Sequence, residues 1–78
     1  MLQVRVGPEL WATRLLPEGL IERWCAPDGG FVAYGDPVAD IRIEGEVHNI
    51  PAPAAGVLRH MVCEGSVIEP DGVIAELG

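Results

Sequence analysis

Leu2, Val4 and Val6 alternate with Gln3 and Arg5, the period-2 pattern of a half-buried β-strand, and Gly7-Pro8 ends it. The next stretch, 9–18, reads ELWATRLLPE and does not alternate. Helical spacing would pair Leu10 with Arg14 and Trp11 with Leu15, a poor apolar stripe, and Pro17 stops any helix there. This segment is predicted to be a loop with some extended structure. Trp11, Leu15 and Leu16 make it unusually apolar for a loop.

From Gly19 the pattern repeats. Residues 19–41, GLIERWCAPDGGFVAYGDPVADI, and residues 56–77, GVLRHMVCEGSVIEPDGVIAEL, align when Gly19 is set on Gly56. Ile21 then matches Leu58 and Trp24 matches Met61. After a one-residue insertion in the first half, Gly29 falls on Gly65, Phe31 on Val67, Val32 on Ile68, Val38 on Ile74, Ala39 on Ala75 and Ile41 on Leu77. Each half reads as a strand, a Gly turn, a very short strand, a second turn and another strand. Short strands with turn signals about every eight to twelve residues predict an all-β sandwich or barrel. Two halves are too few for a solenoid and predict a pseudo-two-fold sandwich of two sheets, neither able to bury a face alone.

Length and composition narrow the picture. The 78 residues make a single domain, 1–78, that buries only about 60% of its unfolded surface. Cys25 and Cys63 are too few for a disulfide framework, and neither a signal peptide nor a membrane-length apolar run is present, so a cytoplasmic setting is expected. Twelve acidic residues against five arginines give a net charge of −7. That balance repels phosphate backbones and predicts no nucleic-acid partner; it favours a basic protein partner instead.

Residues 43–56, IEGEVHNIPAPAAG, form a strand, a tight turn, a strand and then Ala-Pro-Ala-Ala-Gly. With Pro17-Glu18-Gly19, Ile21 and Trp24, this arrangement resembles the biotinyl/lipoyl attachment family, and more closely the lipoyl domains of 2-oxo acid dehydrogenase acyltransferases. The Ala-Met-Lys-Met turn of biotin carriers is absent. The resemblance implies a flattened barrel of two four-stranded antiparallel sheets, with a lysine on the hairpin tip acylated by lipoate or biotin. Counting back from Ile50 and Pro51 puts that lysine's position at Gly45, and the chain contains no lysine. Its cations are Arg5, Arg14, Arg23, Arg42 and Arg59. A guanidinium stays protonated and is a poor nucleophile, so no cofactor is expected on this chain. Glu44-Gly45 is also a favoured pair for a two-residue hairpin turn.

The resemblance further implies that the loop between the first two strands runs beside the hairpin tip and helps partners recognise the domain. Trp11, Leu15, Leu16, Glu44, Gly45 and Glu46 are therefore candidates for one partner-binding face, an aromatic anchor with an acidic rim. The alternative is that Trp11 and Leu15 merely cover an open end of the barrel. His48, His60, Cys25 and Cys63 lack metal-ligand spacing; His60 and Cys63, three apart on one strand, should face opposite ways. The cysteines occupy nearly corresponding places in the two halves and are expected to be core thiols. Ser66 and Thr13 are the only hydroxyl residues besides Tyr34, and no catalytic constellation appears. The expected function is a non-enzymatic protein-binding or structural module. The alternatives are an inactivated or engineered carrier, or a barrel from a larger multidomain protein.

Overall fold

The computed structural model describes every residue except Thr13, Arg14 and Pro17, so the expected helix stop at Pro17 lies outside the described residues, as does Thr13. Eight strands follow the turn signals: β1 (Leu2–Arg5), β2 (Gly19–Trp24), β3 (Phe31–Val32), β4 (Pro37–Ile43), β5 (Glu46–Pro51), β6 (Gly56–His60), β7 (Val67–Ile68) and β8 (Val73–Leu77). The helical content among the described residues is one 3-10 turn, Pro8–Trp11, begun by a proline whose missing N–H is not needed there. The strands form two four-stranded antiparallel sheets, ordered β1-β8-β6-β3 and β5-β4-β2-β7. The expected all-β barrel-sandwich is the observed fold.

The two sheets have the same order once β1 is exchanged with β5, β2 with β6, β3 with β7 and β4 with β8. The hydrogen bonds obey the same exchange. Gly29 N–H donates to Leu58 O at 2.7 Å, and Gly65 N–H donates to Ile21 O at 2.8 Å. Gly35 N–H donates to Ala52 O at 2.9 Å, and Asp71 N–H donates to Val6 O at 2.8 Å. The repeat therefore starts at β1 rather than at Gly19. It is hidden in the sequence because residues 6–18 join β1 to β2 where only 52–55 join β5 to β6.

One alignment step is corrected. The extra residue of the first half sits in β2 itself, where the pairing with β4 jumps from Ile21↔Ile41 to Arg23↔Asp40 and leaves Glu22 as a bulge. Beyond the bulge Trp24 pairs with Ala39, as His60 pairs with Ala75. Trp24 is thus equivalent to His60, not Met61, and Cys25 is equivalent to Met61: Cys25 N–H donates to Val38 O and Met61 N–H to Ile74 O.

The core follows the two-fold. Its buried residues are seven equivalent pairs, Val4/Ile50, Val6/Ala52, Ile21/Leu58, Val32/Ile68, Val38/Ile74, Ala39/Ala75 and Ile41/Leu77, together with Ile43 and Trp11. Those last two have no equivalent. Both lie against Gly19, at the hairpin end of the barrel: a Cβ on Gly19 would come within 3.0 Å of Ile43 Cγ1 and 3.2 Å of Trp11 Cζ2.

Candidate functional site

The hairpin tip is built by β4 and β5, whose register runs from Pro37↔Pro51 to Ile43↔Glu46. Glu44 and Gly45 close it with φ of 48° and 87°. Positive φ at both central residues is the type I′ geometry whose twist matches that of the flanking strands. A Cβ at Gly45 would point into open space, so the glycine answers a backbone requirement and not a steric one.

Glu44 does more than turn the chain. Its Oε2 accepts the N–H of Leu15 at 2.8 Å and the N–H of Leu16 at 3.0 Å, tying the β1–β2 loop to the tip. Charge-assisted bonds of this kind are the stronger sort, and here one carboxylate fixes two consecutive residues. Leu15 and Leu16 are held outward, 93% and 60% exposed. Glu46 is exposed at the first residue of β5, directly after Gly45 in the hairpin. Leu15, Leu16, Glu44, Gly45 and Glu46 are therefore grouped at one end of the molecule.

Trp11 is not part of that surface. It is 7% exposed and packs into the core at Gly19, which corrects the expectation of an exposed aromatic anchor. The physical reason is the two-fold: the hairpin end has an extra inward residue, Ile43, and the indole closes the barrel beside it. Of the two residues that could have covered an open end, Trp11 does so and Leu15 does not.

The remaining candidates are dispersed. β6 ends at His60, so Cys63 lies in the following turn and not on the same strand. Cys25 is half-buried, with Asn49 Nδ2 donating to its Sγ at 3.6 Å, and Cys63 is exposed. Neither is a core thiol, because both lie beyond strand ends, Cys25 just after β2 and Cys63 in the turn after β6. Both are free. Among the described residues no group of His, Cys, Asp and Glu is placed to hold a metal ion, and no helix is long and apolar enough to cross a membrane. Outside the tip, two ion pairs lie on the surface of the second sheet. Arg42 beside Glu22 holds that carboxyl below its ordinary value, and hydrogen bonds from Asn49 and Arg23 do the same for Asp40.

Residues 12–77 match the family described as "Biotin-requiring enzyme", the biotin/lipoyl family, and the chain belongs to it. It is a biotin/lipoyl carrier-type domain. Over 59 residues, 76% of the chain, it is 32% identical to an acetyl-CoA carboxylase of Dictyostelium discoideum, and it spans 3% of that protein's length.

The group the family implies, biotin or lipoate held through a lysine amide, does not fit this tip. Gly45, the position that the resemblance assigns to the lysine, has no side chain, and the chain has no lysine to replace it. Its arginines stay protonated and do not form such an amide at neutral pH. The carboxylate next to Gly45 is engaged with the Leu15 and Leu16 amides.

Proposed function

We propose that this chain is a carrier-type domain that works without an attached group, as a non-enzymatic module binding a protein partner through its tip. The observation that carries this reading is the Glu44 latch. A carboxylate at the tip spends one oxygen on two loop amides, and the result is a pair of exposed leucines held beside a side-chain-less turn. A swinging arm requires none of this; a fixed recognition surface does, because preorganised side chains bind with less entropy loss. An acidic rim around two aliphatic side chains suits a partner with an apolar pocket and a basic edge.

The test compares the chain with its Leu15→Ser/Leu16→Ser variant as bait in parallel pull-downs, with bound proteins identified by mass spectrometry and then titrated in purified form. A partner of this surface binds the parent at least tenfold more tightly than the variant, with unchanged thermal stability. Partners that ignore both leucines would refute the reading. A second reading, a structural barrel within a larger multidomain enzyme, draws on the small fraction of the carboxylase that the chain spans. It expects the leucine variant to behave as the parent in every assay.

A further inference from the structure

We propose that the rim around β3 is a second docking surface, one that takes a basic, arginine-bearing extended segment of a protein partner. It is independent of the tip, and the internal two-fold shows why it stands out. The chain has one phenylalanine and one tyrosine, and both face solvent: Phe31 is 71% and Tyr34 78% exposed. A domain this small is short of buried apolar area, so leaving these two aromatics outside forgoes stability that its packing would otherwise use. Phe31 lies on β3, an edge strand paired only with β6, opposite the partly exposed Val57. Val57 and Gly78 exchange backbone hydrogen bonds of 2.8 and 3.0 Å, which sets this rim beside the chain termini and away from the hairpin tip.

The charge around these aromatics is mainly negative, although the neighbouring strand β6 contributes one cation, Arg59, next to Leu58, whose N–H donates to Gly30 O. From 24 to 41 the sequence carries Asp28, Asp36 and Asp40 and no cation. Asp40 is paired with Arg23, which leaves Asp28 and Asp36, in the turns on either side of β3. Each is held in place through one oxygen: Asp28 Oδ1 accepts the His60 N–H at 2.9 Å and Asp36 Oδ2 accepts the Ala33 N–H at 2.9 Å. The second oxygen of each carboxylate has no protein partner among the described residues. Exposed aromatic faces between fixed carboxylates are what a guanidinium recognises, by stacking on the ring and pairing with the charge. An ammonium uses the charge but stacks poorly.

The two-fold supplies a comparison within the same molecule. The equivalent rim around β7 is also acidic, with Glu64, Glu69 and Asp71, the last of them paired with Arg5. There, however, Val67 and Pro70 stand where Phe31 and Tyr34 stand here. With Asp71 paired, each rim keeps two carboxylates outside an ion pair among the described residues, and Arg59 borders the β3 rim, so charge alone gives the β3 rim no advantage. The aromatics make them different.

The test is a titration of the isotopically labelled chain, followed through its amide resonances. The probe is the blocked peptide Gly-Arg-Gly-Arg-Gly, compared with its lysine counterpart. We expect shifts concentrated at residues 28–36 and affinity at least fivefold higher for the arginine peptide. Phe31→Ser/Tyr34→Ser should lose at least fivefold in affinity with spectral dispersion retained, and Tyr34→Ser alone should lose part of it. Val67→Ser and Leu15→Ser should bind like the parent, which separates this surface from the tip. Equal shifts at residues 64–71, equal affinity for the two peptides, or undiminished binding by Tyr34→Ser would overturn the proposal.

Discussion

Trp24 and His60 are each other's equivalents under the internal two-fold, and their rings stack with centroids 3.7 Å apart and planes 8° from parallel. Two equivalent residues can touch only where the axis passes, so the stack marks the point at which the two halves meet. Its surroundings keep the symmetry. Trp24 N–H donates to Glu64 Oε2 at 3.0 Å and His60 N–H donates to Asp28 Oδ1 at 2.9 Å, each carboxylate coming from the opposite half. His60 Nε2 lies 2.8 Å from the Ala26 carbonyl, which only accepts, so Nε2 carries the proton.

The stack should be an energetic coupling and not a coincidence of geometry. In a double-mutant cycle of Trp24→Leu and His60→Leu, denaturant unfolding should give a coupling of about 0.5–1.5 kcal/mol, the range for stacked aromatic pairs. Additive losses would mean that the two rings are merely neighbours.

Trp11 and Leu15 should now respond in opposite ways. Trp11→Ala removes a buried indole at the closed end of the barrel and should destabilise by about 3–5 kcal/mol, enough to unfold most of a domain of this size. Leu15→Ser should change stability by no more than about 0.5 kcal/mol. Thermal melts followed by circular dichroism decide between these outcomes. A Trp11→Ala variant that melts with the parent would return the indole to the surface.

Incubation with a biotin or lipoate ligase, ATP and the acid should leave the mass of the intact chain unchanged. An adduct anywhere but the Met1 amine would contradict the chemistry argued for the tip. Gly45→Lys supplies an amine but forces a side chain onto a backbone with φ of 87°. It should lower stability by about 1 kcal/mol, a melting shift of about 4–8 °C for a domain of this length.

Acid should weaken the second sheet first. Glu22 and Asp40 are held below their ordinary values of 4.5 and 3.8 in the folded chain. A depressed folded value stabilises the fold above the unfolded value and loses that contribution as pH falls through the folded one. Stability should therefore be flat from neutral pH down to about 5 and decline below that. Glu22→Gln and Asp40→Asn should each flatten part of the decline. Glu22 is exposed and Asp40 half-buried at the surface of the sheet, so the effect is small and shrinks in salt.

Much of the architecture was legible in the sequence, because burial in a half-exposed sheet imposes period-2 alternation and each turn needs its own glycine or proline. Ile21, Val38 and Ile41 announced their equivalents Leu58, Ile74 and Leu77 that way. The N-terminal part of the repeat was not legible. Val4 and Val6 have equivalents in Ile50 and Ala52, but the connections from β1 to β2 and from β5 to β6 differ greatly in length. The bulge at Glu22 was also invisible, since an unpaired residue in a strand leaves no compositional mark, and with it went the correct partner of Trp24. At the tip, Leu15, Leu16, Glu44, Gly45 and Glu46 were grouped through resemblance, and their placement at one end of the molecule follows from the register of β4 with β5 and the Glu44 bonds. The Glu44 latch could not have been, because it joins residues far apart in sequence and depends on side-chain direction alone. Trp11 misled because an apolar residue in an irregular segment looks the same in sequence whether it faces a partner or closes a core.

The adjacency of the chain termini has a mechanical consequence. Leu2 pairs with Leu77 in an antiparallel ladder, and a Cβ on Gly78 would lie 3.4 Å from Met1 Sδ. Tension applied between the two ends acts at one end of the β1–β8 ladder and across its strands, along the direction of the hydrogen bonds. The bonds then bear the force one after another, as in a zipper, instead of sharing it in shear. Under pulling, this domain should peel from β1 inward at low force. The hairpin tip, at the opposite end of the barrel, is the last part to feel the strain.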